Sequence, residues 1–263
     1  MIIFRYDQSF EGLLSAIFDA FLLKKWPQSI LTHEDVLPLL ASEEHLVQTT
    51  EEKYNRVSQA MKKRLPPIAL TQLTYVWYSE CPERAMLLFN YLVKVFKNKR
   101  DISHDFADPD VLAIKKLAQK VSHERHYLMM FVRFNIINNQ NDKVYFATVS
   151  PRYNTLPFAI DFFQDRFADQ KWAIFDTKRQ YGYLYDLTQT EIITLNEQDG
   201  LLTDGIINER YLSANEKKFQ SMWYRYCQAT TIKERINPKL QRQFMPTRFW
   251  QYLPETWHDL SNT

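Results

Sequence analysis

The chain has 263 residues, 45% of them hydrophobic, and a net charge of +2. This is the composition of a globular protein that can bury a core. The small net charge excludes a whole-molecule attraction for nucleic acid, so such a partner would need a local basic patch. The four glycines form neither a dinucleotide-binding loop nor a P-loop, and two distant cysteines, Cys81 and Cys227, exclude a four-cysteine metal site.

The chain carries no sequence signal for a membrane or for export. Its apolar runs are interrupted well short of the ~18 consecutive residues that a membrane span needs. The N-terminal stretch MIIFRYDQSF also lacks a basic region followed by an apolar one. We therefore expect a soluble protein of the cytoplasm, where thiols stay reduced.

The first half of the chain has mainly helical periodicity. MIIFRY predicts a short strand, and Ser9 is the expected N-cap of a helix with an apolar i, i+3, i+4, i+7 pattern. Further helices are predicted over 50–65 and over 68–97, the latter broken near Pro82. Another begins near Pro109 and is expected to end near residue 125.

The second half changes to the pattern of β-strands from His126 onward. The runs YLMMFVRFNII and VYFATVS flank the turn-prone NNQND and predict an antiparallel hairpin. After a short helix, KWAIFD and YGYLYD predict a second hairpin, with EIITL as a further strand. A last helix is expected to begin near Ser213.

These elements predict an α+β fold, with a mainly helical N-terminal half and a mostly antiparallel sheet with flanking helices in the C-terminal half. We expect one domain over 1–263. Its predicted sections are a helical one at about 9–125, a sheet-containing one at about 126–210, and a C-terminal helix with a basic, aromatic tail at about 213–263. The N-terminal strand is a candidate link between the halves, and the sequence leaves open whether they are separate domains.

The densest ionisable cluster is SHERHY, at the predicted junction of helix and strand. Glu124 and His126 are candidates for general acid and base chemistry, together with Asp176 near the second hairpin turn. His123 and His126 are three residues apart, whereas two zinc ligands on one helix are usually four apart. We therefore predict no metal site and no cofactor.

Two segments combine basic with aromatic residues. The hairpin turn carries Lys178 and Arg179 beside a row of tyrosines, and the tail over 233–253 carries Arg242, Arg248 and Trp250. Arginines bind phosphates, and exposed aromatic rings stack on unpaired bases at ~1–3 kcal/mol each. The alternative is structural, with the tyrosines in the core and the tail aromatics holding the tail to the body of the protein.

Five stretches show a family resemblance when taken in order. They are YDQSFEGLL, KVSHERHYLMMFVRF, VSPRYNTLPFAIDFFQDRF, WAIFDTKRQYGYLYD and MPTRFWQYLPE. They resemble bacterial proteins, built on a domain of unknown function, that are described as DNA metabolism or repair proteins and are encoded beside a radical SAM protein. Some relatives are fused to a uracil-DNA glycosylase-like domain. Phe162 stands where the family pattern has a histidine, and Tyr127 stands where it has a basic residue.

The resemblance implies a role in DNA repair or DNA metabolism in concert with the radical SAM protein, which would supply the iron–sulfur chemistry. Two arginines that keep the family pattern join the candidates for binding nucleic acid. The full set is Arg133, Arg166, Lys178, Arg179, Arg242, Arg248 and Trp250.

Two other functions remain open from the sequence. One is a DNA-modifying or hydrolytic enzyme, in which Glu124 or Asp176 acts as acid or base and an arginine stabilises developing negative charge. The other is a scaffold without catalysis, which docks the radical SAM protein through an exposed aromatic surface near Trp250 or the tyrosine row.

Overall fold

The computed structural model describes residues 1–39, 41–98, 101–139, 142–195 and 200–257. The fold is α+β, as the sequence predicts. The chain divides into two compact units, 1–123 and 124–263. In the part of the chain that the structure describes, no helix is long and apolar enough to cross a membrane.

The first unit combines helices with a small parallel sheet. Its elements are β1 (Ile2–Tyr6), α1 (Phe10–Leu23), β2 (Ser29–Thr32), β3 (Glu43–Leu46), α2 (Glu51–Arg64), α3 (Pro67–Tyr78), α4 (Arg84–Lys97) and the start of α5 (Pro109–Phe131). β1 is the central strand and pairs in parallel with β2 and β3. The N-terminal strand therefore belongs to a sheet of its own unit and is not the link to the second sheet that the sequence suggested.

The core of the first unit follows the predicted helix pattern. The Ser9 hydroxyl accepts a hydrogen bond from the Gly12 amide at 2.8 Å, so it caps α1 as expected. Leu13 and Ile17 then lie one turn apart on the buried face of α1. They belong to one hydrophobic core with Phe4 of β1 and Leu88 of α4.

The second unit is built on a five-stranded sheet. Its elements are the end of α5, β4 (Asn135–Asn139), β5 (Asp142–Val149), α6 (Ile160–Arg166), β6 (Trp172–Asp176), β7 (Tyr181–Tyr185), β8 (Thr190–Ile193), β9 (Leu202–Thr203), β10 (Ile206–Ile207), α7 (Glu216–Thr230) and α8 (Pro238–Phe244). The strands follow the order β4-β5-β6-β7-β8. All neighbours are antiparallel except β5 and β6, so the predicted mostly antiparallel sheet is confirmed.

Strand β6 is buried on both faces because hydrophobic clusters cover both sides of the sheet. Trp172 and Ile174 pack into the cluster that includes Phe163 of α6. Ala173 and Phe175 point to the opposite cluster. The next residue on the Trp172 face is Asp176, a charged group at the end of a strand that is otherwise apolar.

The predicted change from helix to strand at His126 is wrong, because α5 continues to Phe131. Apolar runs such as LMMF fit a strand or a buried helix equally well. In the structure, Glu124, Leu128 and Phe131 recur at helical spacing and are all buried. Phe131 packs against Phe249 of the C-terminal segment, with ring centroids 5.3 Å apart.

Candidate functional site

The candidate site lies where the two parallel strands of the second sheet end. Val149 of β5 is paired with Asp176 of β6, and the Thr177 amide donates to the Val149 carbonyl at 2.8 Å. The loop after β5, residues 150–154, and the turn after β6, residues 177–180, therefore emerge side by side. The carboxyl ends of parallel strands are a common location for ligand sites, because loops converge there.

Asp176 fixes the turn after β6 and ties it to the 150–154 loop. Its side chain has 0% exposure. Oδ1 accepts from the amides of Lys178 at 2.9 Å and Arg179 at 3.2 Å, and Oδ2 accepts from Arg179 Nη1 at 2.8 Å. The same Nη1 donates to the Pro151 carbonyl at 3.1 Å. Burial raises the pKa of Asp176, although its bonds with Arg179 and Lys178 lower it in part.

Glu124 holds the same loop from the side of α5. It is only 3% exposed, and its Oε1 accepts from the Arg152 amide at 2.7 Å. Its Oε2 pairs with Arg248 Nη2. The Arg248 guanidinium lies 4.6 Å from the centre of the Phe249 ring, within the range of a cation–π contact. The carboxylate therefore connects the loop to the C-terminal segment.

We call this group the Arg152 cluster: Glu124, Arg152, Asp176, Lys178, Arg179 and Arg248. Lys178 Nζ donates to the Arg152 carbonyl at 3.3 Å, and both side chains are exposed. The Arg248 side chain is partly exposed. Of the four cations, Arg179 and Arg248 pair with the two buried carboxylates, whereas Arg152 and Lys178 bond to them only through backbone amides, which leaves a surplus of positive charge on the exposed side. Such an arrangement suits a phosphate, which is anionic and accepts several hydrogen bonds.

The tyrosine row beside this cluster belongs mainly to the core. Tyr185 is buried and lies 5.5 Å from Trp172 between ring centroids, and Tyr183 packs against the same cluster of apolar residues. Tyr181 donates its hydroxyl to Asn154 Oδ1 at 2.6 Å, so it supports the 150–154 loop. Tyr183 and Tyr185 therefore belong to the core, as the structural alternative predicts.

Five predicted site residues lie outside the cluster, namely His126, Arg133, Arg166, Arg242 and Trp250. His126 is two positions from Glu124, about 200° around the helix, and is exposed, so the two side chains do not form an acid–base pair. Arg133 pairs with Glu255 at 2.7 Å, and with Arg166 it lines a separate groove of about 520 Å³. Arg242 is exposed on α8.

Trp250 cannot stack on a base in this structure. It is 6% exposed, and its indole nitrogen donates to the Met245 carbonyl at 2.9 Å. Phe249 is buried with it. The expectation of an exposed aromatic surface at Trp250 is therefore wrong, and these rings hold the C-terminal segment to its own unit.

Arg152 was missed as a site residue, although it lies within VSPRYNTLPFAIDFFQDRF, one of the five family-like stretches. Its position directly after a predicted strand was the available signal. Its backbone contact with Glu124 joins residues 28 apart in the chain, which no local pattern reveals. Over the described residues, no three His, Cys, Asp or Glu side chains come together in a way that could hold a metal ion.

Comparison with known proteins identifies a family for this chain. Residues 82–255 match the model of a family described as a domain of unknown function, DUF4130. No curated protein matches the chain, and no solved structure does. The matched range contains the whole Arg152 cluster. Because the model covers more than half of the sequence, the chain belongs to the DUF4130 family.

Proposed function

We propose that this protein binds DNA in the cytoplasm through the Arg152 cluster, in DNA repair or DNA metabolism, and acts alongside a radical SAM protein. The observation that carries the proposal is the loop of residues 150–154. Two buried carboxylates hold this loop against the turn of residues 177–180, so that the loop presents Arg152 and the turn presents Lys178 to solvent. The family-like stretches that include these residues support the connection with DNA.

The carboxylates explain why this patch suits a polyanion better than scattered surface lysines do. Glu124 and Asp176 each accept a backbone amide and pair with an arginine, so the loop and the turn are ordered before a ligand arrives. A site that is ordered in advance loses less conformational entropy on binding. The exposed cations then neutralise phosphates, which is the main source of affinity for nucleic acid.

Unpaired DNA is the form we expect to bind best. Arg152 lies 5.7 Å from the ring centre of Tyr153, and Arg248 lies 5.6 Å from that of Tyr127. Guanidinium planes can stack on unstacked bases as well as bind phosphates. A DNA duplex keeps its base faces stacked inside, so only its phosphates would contact the cations of the cluster.

The test is the binding of a labelled single-stranded oligonucleotide, followed by fluorescence anisotropy. We expect Arg152→Ala/Lys178→Ala to weaken binding about tenfold at low salt, because two phosphate contacts are lost. The matched control, Lys62→Ala/Lys63→Ala, removes two exposed cations from α2 and should leave the affinity within about twofold. Equal loss in both double variants would refute a local site.

A DNA-modifying or hydrolytic enzyme is the second candidate, favoured by the raised pKa of buried Asp176 at the end of a parallel strand. In this case the wild-type protein should release a base or cleave a labelled oligonucleotide. Asp176→Asn keeps a side-chain acceptor for the amides of Lys178 and Arg179, and it should abolish the product even at protein concentrations that saturate binding. A wild-type protein that binds the oligonucleotide without changing it would argue against catalysis on this DNA.

The radical SAM protein enters the proposal through the family resemblance. The two cysteines of this chain cannot hold an iron–sulfur cluster of the kind such chemistry needs, so the cluster would belong to the partner. Co-expression followed by size-exclusion chromatography tests the association. Separate elution of the two proteins, with and without DNA, would contradict it.

A further inference from the structure

Helix α7 exposes an apolar stripe that a surface helix normally buries. Phe219, Met222, Trp223 and Tyr226 follow the i, i+3, i+4, i+7 spacing and are each between 40% and 58% exposed. The rings of Trp223 and Tyr226 are stacked, with centroids 5.6 Å apart. A stripe of this width is typical of a helix that packs against another element.

The neighbouring face of α7 lines a groove that runs to α8. The groove has a volume of about 930 Å³ and is lined by Cys227 of α7 and by Ile236, Leu240 and Phe244 of the segment that follows. The last three side chains are also exposed, as is Ile232. An exposed apolar stripe beside an apolar groove is rare on a protein that functions alone and marks an interaction site.

The same segment is strongly basic. Residues 216–244 contain seven lysines and arginines and two glutamates. One of these glutamates, Glu216, is buried and accepts a hydrogen bond from the Ile136 amide at 2.9 Å. Two further glutamates lie at this surface, and each is paired with a cation: Glu255, which accepts from the Trp223 indole nitrogen at 2.9 Å, pairs with Arg133, and Glu209 pairs with Lys217. The remaining positive charge around the stripe complements an acidic partner, and a second copy of this chain would bring like charges together.

The exposed aliphatic side chains of this surface favour a protein over a nucleic acid. Met222, Ile232, Ile236 and Leu240 gain free energy when apolar side chains cover them, but they cannot stack on bases. The groove is concave, which suits the cylinder of a helix better than the flat surface of a membrane.

We propose that the α7 stripe and the adjoining groove dock an acidic amphipathic helix of a protein partner. The stripe would bury the apolar face of that helix, and Lys218 and Arg225 would pair with its carboxylates. This site goes beyond the proposed DNA binding, since it shares no residue with the Arg152 cluster.

The experiment uses the full chain and a fluorescein-labelled peptide of about 20 residues, long enough to become helical when bound. The peptide carries leucine at i, i+3, i+4, i+7 spacing and glutamate elsewhere, and a peptide of the same composition in scrambled order serves as its control. We expect saturable binding of the patterned peptide only. Phe219→Ser/Met222→Ser should weaken it at least about tenfold.

Matched variants separate this effect from a general loss of apolar surface or charge. Leu22→Ser/Ile68→Ser removes two exposed apolar side chains from the first unit and should leave peptide affinity unchanged. Lys218→Glu/Arg225→Glu should weaken binding about tenfold, whereas Lys62→Glu/Lys63→Glu should not. Circular dichroism confirms that each variant keeps its helix content.

Several results would overturn the proposal. The first is equal binding of the patterned and scrambled peptides, or no binding of either. The second is that the α7 stripe variants bind the patterned peptide as wild type does, but show weaker binding to single-stranded DNA or to anionic vesicles, or weaker self-association. DNA binding through the Arg152 cluster is measured with its own variants, so either proposal can fail alone.

Discussion

The hairpin segment at residues 176–185 and the C-terminal segment at residues 233–253 have similar compositions and different roles. Both combine arginine or lysine with aromatic residues. In the turn, Arg179 meets the buried carboxylate of Asp176. In the C-terminal segment, Arg242 is exposed on α8, and Arg248 pairs with the buried carboxylate of Glu124. The role of an arginine in a basic, aromatic stretch therefore depends on whether it pairs with a buried carboxylate.

The largest effect is expected when the acid of the turn is removed. Asp176→Ala removes the buried carboxylate that pairs with Arg179 and leaves two backbone amides without their acceptor. We therefore expect a loss of about 3–5 kcal/mol in the free energy of unfolding. Urea denaturation measures it. Asp186 accepts from the amides two and three residues ahead in the same way but is exposed, so Asp186→Ala should cost clearly less. Equal losses would show that burial does not distinguish the two turns.

Two aromatic residues of the C-terminal segment should also differ in their contribution to stability. Trp250 is buried and hydrogen-bonded, so Trp250→Ala should lower the free energy of unfolding by about 3 kcal/mol. Phe244 is 62% exposed, and Phe244→Ala should change it by less than about 0.5 kcal/mol. Thermal and urea denaturation measure both. A stable Trp250→Ala variant would mean that the segment is not held by its buried aromatic residues.

The pH dependence should have opposite signs at the two aspartates. Because burial raises the pKa of Asp176 in the folded state, its contribution to stability falls as pH rises through that pKa and is greater at lower pH. Hydrogen bonds from Thr188 and Gln189 lower the pKa of Asp186 to about 2, so its contribution is present above the ordinary pKa of an aspartate and is lost as pH falls toward 2.

Aspartate-to-asparagine variants isolate these contributions. As pH falls, the difference in unfolding free energy between wild type and Asp176→Asn should move in favour of wild type. For Asp186→Asn, the same difference in unfolding free energy should move against wild type as pH falls from the ordinary pKa of an aspartate toward 2. Urea titrations at a series of pH values give both differences. The same sign for both would contradict the assignment.

Local patterns in the sequence predict much of this fold. The capped helix after Ser9 and the hairpin of β6 and β7 depend on periodicities within a few residues, and both are confirmed. The end of α5 was misassigned because LMMF satisfies helix and strand patterns alike. β2 and β3 were missed because strands of four residues carry little signal, and their parallel pairing with β1 brings together distant parts of the chain.

The candidate site was only partly predictable for the same reason. The sequence singles out Glu124, Asp176, Lys178, Arg179 and Arg248 by charge and resemblance. It cannot show that Glu124 meets Arg248, which lies 124 residues further along the chain. It also cannot show that Trp250 is buried while Trp223, with the same side chain, is exposed. These outcomes depend on packing between distant segments.

The most direct test of DNA binding through the Arg152 cluster is the salt dependence of that binding. The slope of log affinity against log salt concentration is measured for single-stranded DNA with wild type and with Arg152→Ala/Lys178→Ala. Each lost phosphate contact reduces the steepness by about 0.7, so we predict a slope that is shallower by about 1.4 in the double variant. The slope of Lys62→Ala/Lys63→Ala should equal that of wild type. Identical slopes for wild type and the Arg152→Ala/Lys178→Ala variant would contradict the central claim.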